Sequence, residues 1–250
     1  AAFMILNRNK RGVSLNLKSP GGKAVLEKML TTADVVIENY RPGTMERFGL
    51  GYETLHKLNP ALIYCQVTGF GRTGPYANRA GFDLIAQGLS GIMSVTGEGA
   101  GRQPVKAGPP ITDISAGILA AMGVLAAYVH RLKTGEGQLV DTSLLEAGVT
   151  TTYWQSAICL ATGTSPGAIG SAHPLSAPYQ ALQTQDGWIN IGAANQANWK
   201  RLVEVIGKPE LAGDPRFLDN AARMQNLPAL IEILTERFRM RTTSDWLARL

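Results

Sequence analysis

The sequence predicts an α/β fold: a larger domain on a parallel sheet flanked by helices, then a smaller α+β domain. Three observations carry this. Short apolar runs alternate with helical patterns over residues 1–160, the rhythm of strands joined by helical crossovers. Residues 161–178 are rich in Gly and Pro and nearly free of charge, which marks a linker or a functional loop. Residues 179–250 open with a hairpin signal and continue with helical patterns. At 250 residues the chain can bury such a core without disulfides or structural metals.

The elements follow in order. Residues 13–17 alternate apolar and polar like a strand. Ser19 and Pro20 open a helix through residue 30, with Pro20 in the first turn, where its missing N–H costs nothing. Residues 34–38 (DVVIE) and 62–67 (LIYCQV) are short apolar strands, and 43–48 and 52–58 between them are short helices. Residues 81–89 read as a helix and 97–110 as a Gly/Pro-rich loop. A long apolar helix spans 114–132, a turn 133–137, a strand 138–141 and a helix 143–160. Residues 179–184 and 188–192 bracket Gln185, Asp186 and Gly187 as a hairpin. Asn195 caps a helix to residue 206, ended by Gly207 and Pro209. Helices at 217–225 and 228–239 are separated by Pro228, and another starts at Ser244. The coarse architecture is a Rossmann-like domain over 1–160, a linker over 161–178 and an α+β domain over 179–250.

Composition excludes several classes. Cys65 and Cys159 lie far apart and form no CxxC pair, and Cys65, mid-strand, reads as core. His56, His130 and His173 show neither HxxxH nor HExxH spacing, so no metal is expected. His173, beside Pro174, reads as loop structure or a substrate contact. The net charge of +5 suits anionic small molecules or a weak nucleic-acid surface and does not choose between them. No basic helix face with interleaved aromatics supports a nucleic-acid partner. The apolar stretch 114–129 is short for a membrane span and reads as a buried helix, with Met122 in the core. No signal-peptide pattern opens the sequence, so a cytoplasmic protein is expected, or a mitochondrial or peroxisomal one in a eukaryote. The first residues look like the middle of an element and the last fall inside a helical pattern, so a piece of a longer chain is expected.

Four stretches carry candidate chemistry. Residues 69–74 spell GxGxxG after a strand, but Pro75 and Tyr76 follow where a helix N-terminus is needed to hold a pyrophosphate. This argues against nicotinamide or flavin and leaves a Gly-rich wall beside a ligand. Arg8, Asn9, Lys10 and Arg11 form a basic cluster, either a solvated charge run or an anchor for phosphate groups. Glu38 to Gly43 (ENYRPG) follows the carboxyl end of a strand, where open α/β sheets place ligands. Its Asn39, Tyr40 and Arg41 suit a nucleotide, or make an ordinary strand-to-helix turn. Asp113, ahead of the long helix, is either its N-cap or a carboxylate nucleophile toward an acyl carbon in a glycine-lined site. Gly-Lys-Ser/Thr is absent.

Six ordered segments together resemble the family III CoA-transferases, the group of formyl-CoA transferase and carnitine CoA-transferase. They are LNRNKRGVSLNLKSPGGKAVL at 6–26, DVVIENYRPGTMERFGLGYETL at 34–55 and NPALIYCQVTGFGRTGPYANRAGFDLIAQ at 59–87. PVKAGPPITDISAGILAA at 104–121, RLKTGEGQLVDTSLLEA at 131–147 and APYQALQTQDGWINIGAANQANWKRL at 177–202 complete the set. The resemblance implies that Asp113 is the catalytic aspartate. It attacks an acyl-CoA thioester to give a mixed anhydride and passes through an aspartyl-CoA thioester to the acceptor acid. It implies that Asn39, Tyr40 and Arg47 line the CoA site, that Arg8 to Arg11 lie near its phosphates, and that Thr68, Gly69, Phe70 and Gly71 wall the active site. It also implies acyl-CoA and a carboxylic acid as substrates, an interlocked homodimer, and at 163–173 the place of a glycine loop that covers the intermediate in some members. The pattern is nearest the dicarboxylate transferases, such as the succinyl-CoA:glutarate type.

Two alternatives remain. α-Methylacyl-CoA racemases of the same family carry a histidine in a GHD segment. This chain has Phe82 between Gly81 and Asp83, and Phe82 supplies no acid or base. The other is a CoA-binding piece without catalysis.

Overall fold

A computed structural model describes residues 2–99 and 101–250. The chain divides into two compact units. The first runs to Met93 and resumes over Lys106–Tyr153, and the second comprises Ser94–Val105 and Trp154–Leu250.

The first unit is a parallel sheet between helices. In chain order it holds α1 (Ala2–Leu6), α2 (Pro20–Leu30), β1 (Val35–Glu38), α3 (Thr44–Arg47), α4 (Tyr52–Leu58), β2 (Ile63–Thr68) and α5 (Asp83–Leu89). The short α6 (Ile92–Val95) crosses from the first unit into the second. α7 (Ile111–Thr134), β3 (Leu139–Ser143) and α8 (Leu144–Thr151) complete the first unit. The strands lie in the order β1-β2-β3, all parallel, with Val36 opposite Tyr64 and Tyr64 opposite Leu139. Side chains alternate across a strand, so these three face one way. There they meet Leu30, Met45 and Leu55 of α2, α3 and α4. Val140 faces the other way and touches α7 at Gly123, where a Cβ would sit 2.6 Å from Val140 Cγ1. Helices therefore cover both faces, and the parallel α/β class is correct.

Local chemistry sets the ends of these elements. Ser19 Oγ accepts from the Gly22 amide and caps α2, a bond worth about 1 kcal/mol. Gly135 ends α7 in the left-handed region at φ 80° and donates its N–H to the Arg131 carbonyl. Thr150, Thr151 and Thr152 donate their hydroxyls back to the carbonyls of Glu146, Ala147 and Val149. Such back-bonding from β-branched residues weakens a helix. The single helix expected over 143–160 is accordingly two, α8 and α9 (Tyr153–Thr162), parted at Thr152.

Two other expectations need correction. Residues 13–17 form no strand. Alternation makes a strand only where a neighbour takes its hydrogen bonds, and none does among the described residues. The stretch 114–129 is not a buried helix. α7 is 24 residues, long and apolar enough by length and composition to cross a membrane. Its small residues Ala116, Ala120 and Ala127 are buried, whereas Ile118, Leu125 and Val129 are exposed and Met122 is 61% exposed. A helix apolar all round still turns one face to the sheet, and small residues win that face because they allow the closest approach.

The second unit comprises α9 from Trp154 onward, the antiparallel hairpin of β4 (Tyr179–Gln183) and β5 (Trp188–Gly192), α10 (Gln196–Val205), a 3-10 turn at Pro209–Ala212, α11 (Asn220–Gln225), α12 (Leu227–Phe238) and α13 (Thr243–Arg249). Asn195 Oδ1 accepts from the Asn198 amide and caps α10. One core gathers Ile189 and Ile191 of β5, Trp199 of α10, Leu234 and Phe238 of α12, and Trp246 of α13.

Candidate functional site

The carboxyl ends of β1 and β2 open into a cleft of about 270 Å³. The turn after β1 supplies Asn39, Tyr40 and Arg41, and the end of β2 supplies Thr68 and Gly69. The segment before α5 adds Arg79, Gly81 and Phe82. Asp113 of α7 and Leu144 of α8 border this cleft and also an adjoining one of about 380 Å³, which reaches Ile37, Glu38 and Gly117. Asp113 is the sole carboxylate among the described residues lining the first cleft.

Asp113 is exposed and stands in the first turn of α7, two residues after the helix begins at Ile111. It is therefore not the N-cap. Pro110 occupies that position and has no side chain with which to cap. The capping oxygen comes from α5. Asp83 Oδ1 accepts from the Thr112 amide at 3.0 Å and from Thr112 Oγ1 at 2.8 Å. Asp83 Oδ2 accepts from Gln87 Nε2 at 2.7 Å, and Gln87 Oε1 accepts from the Ala107 amide at 2.8 Å.

These contacts push two neighbouring carboxyls apart. Burial raises the Asp83 carboxyl, but the hydrogen bonds from Thr112 and Gln87 outweigh it and hold it below the usual range. Burial first, and the Asp83 charge second, push Asp113 above the usual range. Helix dipoles favour anions at this end, and of the two carboxylates Asp113 is the more basic.

Backbone contact shapes the facing wall. Gly69 and Gly81 touch, and a Cβ on Gly69 would lie 2.6 Å from Gly81 Cα. The GxGxxG run is thus explained by packing. Gly71 and Gly74 are left-handed, at φ 86° and 88°, and no helix begins until Asp83. Thr68 Oγ1 accepts from the Gly71 amide at 2.8 Å and closes the turn after β2. Phe70 packs edge-on against Tyr76, and the Arg79 guanidinium lies 4.0 Å from the Tyr76 ring centre. Across the cleft, buried Glu38 accepts from the Tyr40 amide at 2.8 Å and so fixes the turn that presents Asn39 and Tyr40. Burial raises the Glu38 carboxyl, and Glu46 adds to the rise, while the Tyr40 amide, Gln66 and Tyr64 oppose it.

The model for CoA-transferase family III matches residues 1–250. The chain belongs to CoA-transferase family III. It is similar to the succinate–glutarate CoA-transferase of Agrobacterium fabrum (strain C58 / ATCC 33970), with 41% identity over 94% of this chain and 58% of that protein. It is similar to the succinyl-CoA:glutarate CoA-transferase of Homo sapiens, with 37% identity over 98% and 56%, and to the acetyl-CoA:oxalate CoA-transferase of Acetobacter aceti, with 40% over 98% and 63%. The chain spans somewhat over half the length of these curated relatives. Among solved structures, a CAIB/BAIF family protein from Brucella suis superposes with a TM-score of 0.81 at 41% identity, over 97% of this chain and 64% of that one. Rv3272 from M. tuberculosis superposes at 0.88 and 30% identity, over 98% and 65%.

In this family III chain the residues named from sequence fall into two groups. Asn39, Tyr40, Arg41, Thr68, Gly69 and Asp113 line one cleft. Phe70 and Gly71 continue the wall behind it, outside the lining. Arg47 stands in α3 with its Nη2 donating to Thr44 Oγ1, away from the lining. Arg8, Asn9, Lys10 and Arg11 are exposed after α1, also outside it, and Asn9 is left-handed at φ 62°. Cys65 is fully buried in β2, and burial pushes its thiol up. His173 packs edge-on against Tyr179. Reading the residues missed Arg79, Leu144 and the role of Asp83. The spacing of Phe70, Tyr76 and Arg79, aromatic residues leading to an arginine, was the available signal for the first. Nothing in the sequence pairs Asp83 with Thr112.

Proposed function

We propose that the protein moves CoA from an acyl-CoA donor, succinyl-CoA or a similar dicarboxylyl thioester, to a carboxylic acid, with Asp113 as nucleophile. The observation that carries this is the single exposed carboxylate, more basic than usual, in a cleft that holds two arginines, Arg41 and Arg79, and no other carboxylate among its described lining. Family membership and relatives named for succinyl-CoA and glutarate support the substrate class.

In this reading an Asp113 oxygen attacks the donor thioester carbon. The C–S bond breaks, CoA leaves as thiolate, and an aspartyl–acyl mixed anhydride remains. The thiolate then attacks the aspartyl carbonyl, releasing the donor acid and leaving an aspartyl-CoA thioester. The acceptor carboxylate attacks that carbon and expels the thiolate again. Attack of the thiolate on the acceptor acyl carbon frees Asp113 and the new acyl-CoA. Arg41 and Arg79 suit the phosphates of CoA, Asn39 and Tyr40 its nucleotide, and Gly117 leaves room for the acyl group.

Phe82 lines the cleft where racemases of the family carry histidine, so no second base faces Asp113 from that position. The exposed stripe of α7 supports the homodimer implied by the resemblance, which sedimentation reads directly as two chains. The decisive test mixes protein, succinyl-CoA and candidate dicarboxylic acids and follows new thioesters by mass. Asp113→Ala is expected to lose exchange by at least about 10³-fold, the scale of removing a covalent catalyst. Full-speed exchange by Asp113→Ala would end this reading, and exchange of the α-proton for deuterium without transfer would replace it with racemisation.

A further inference from the structure

We propose that Asp83 is the positioning residue of this site: held on both carboxylate oxygens, it grips the first turn of α7 and thereby places the Asp113 carboxylate in the cleft. The inference rests on the reading of Asp113 as nucleophile.

The first amides of a helix lack partners within the helix, and a proline cap supplies none. Asp83 fills that need from another element 29 residues upstream. Its two oxygens are bound from opposite sides by Thr112 and Gln87, both fully buried. Gln87 is itself fixed by the Ala107 amide, ahead of the helix. The chain from Ala107 to Thr112 is therefore pinned at both ends by one carboxylate–amide pair, and Asp113 is the next residue. An ordinary N-cap rotates with its own helix. This one ties the helix to α5, whose start is set by the Gly69–Gly81 contact, so the nucleophile and the opposite wall share one anchor.

Asp83 also acts through its charge. Arg41, Arg79 and Glu38 border the two clefts, Lys106 lies on the preceding loop, Asp141 on β3 and Glu146 on α8. Of all these groups, Asp83 is the one whose charge adds to burial in making Asp113 more basic. A more basic carboxylate attacks an acyl carbon better.

Two substitutions separate grip from charge. Asp83→Ala removes both, whereas Asp83→Asn keeps an oxygen for Thr112 and removes the charge. Measured on the purified protein with succinyl-CoA and a dicarboxylic acid, Asp83→Ala is expected to lower kcat about 100-fold with KM within a few-fold, the cost of a misplaced reacting group. Asp83→Asn is expected to keep more of kcat and to move the acid limb of its pH profile to lower pH, a shift a purely structural residue does not cause. An unmoved limb in Asp83→Asn overturns the proposal even if Asp83→Ala fails to fold, and so does wild-type kcat in a folded Asp83→Ala. Asp113→Asn separates the two readings. If it exchanges at full speed, the nucleophile assignment falls. If it is inactive while both Asp83 variants behave as wild type, only the positioning role falls.

Discussion

The two units of this chain spend their side chains differently. In the second, large residues point inward. Trp199, Phe217, Phe238 and Trp246 are all but fully buried, and Arg223, 1% exposed, donates from every guanidinium nitrogen. Its partners are the carbonyls of Ala177, Phe217 and Ala194 and the Gln196 side chain. In the first unit the longest helix keeps alanine and glycine inside and turns Ile118, Met122 and Leu125 outward, and its one candidate nucleophile stands exposed at the helix start. A unit that packs its large side chains into one closed core can hold a shape and little else. A unit that leaves a carboxylate more basic than it would be in water, beside a second carboxylate, has room for chemistry.

The largest test of this contrast is Trp199→Ala. Trp199 is fully buried, packs edge-on against Phe217 at 6.3 Å and carries the Arg223 guanidinium over its ring at 5.2 Å. Removing a buried tryptophan costs about 3–5 kcal/mol. Denaturant unfolding of the variant should show that loss. A loss under about 1 kcal/mol would mean that the second unit is less tightly closed than its geometry indicates.

The next compares two glycines of α7. Gly123 abuts Val140, so Gly123→Ala overpacks the helix against β3. Overpacking costs about 1–3 kcal/mol, more than the roughly 1 kcal/mol alanine gains over glycine within a helix. Gly117 has open space where a Cβ would go and lines the cleft beside Asp113. Gly117→Ala should therefore stabilise by up to about 1 kcal/mol while lowering transfer activity. Thermal melts with parallel assays check both, and equal effects at the two positions would erase the distinction between packing face and site face.

Much of this was legible in the sequence, and the gaps have physical causes. Strands β1, β2 and β3, the hairpin and the Asn195 cap follow from apolar period and turn chemistry, which are local. The strand expected at 13–17 failed because alternation says nothing about who accepts the hydrogen bonds. The burial of α7 failed because hydropathy treats Ala116 and Met122 alike, although size decides which of them faces a sheet. Six of the residues lining the cleft were named from motifs, all at strand ends or the helix start, where α/β sheets expose side chains. Asp83 was invisible because its partner Thr112 lies 29 residues away, and only the fold brings them together.

The smallest effect probes whether the first unit gives up stability for its site. The Asp113 carboxyl is raised in the folded protein, so the folded state holds that proton more tightly than the unfolded chain does. Below the unfolded value both states carry the proton, and the site costs nothing. As pH rises from there through the folded value, the wild type loses stability, and above it the penalty stays constant. Asp113→Asn cannot ionise and escapes the penalty. It also gives up the favourable pairing of an anion with the helix start, but that pairing is already outweighed, since the net shift is upward. The variant should therefore melt slightly above wild type at neutral pH, with the gap shrinking to nothing in acid below the ordinary aspartate range. Paired melts across that range read the gap directly. A gap that stayed constant with pH would place its origin in packing, and the view of Asp113 as a carboxylate held at a cost to the fold would have to be given up.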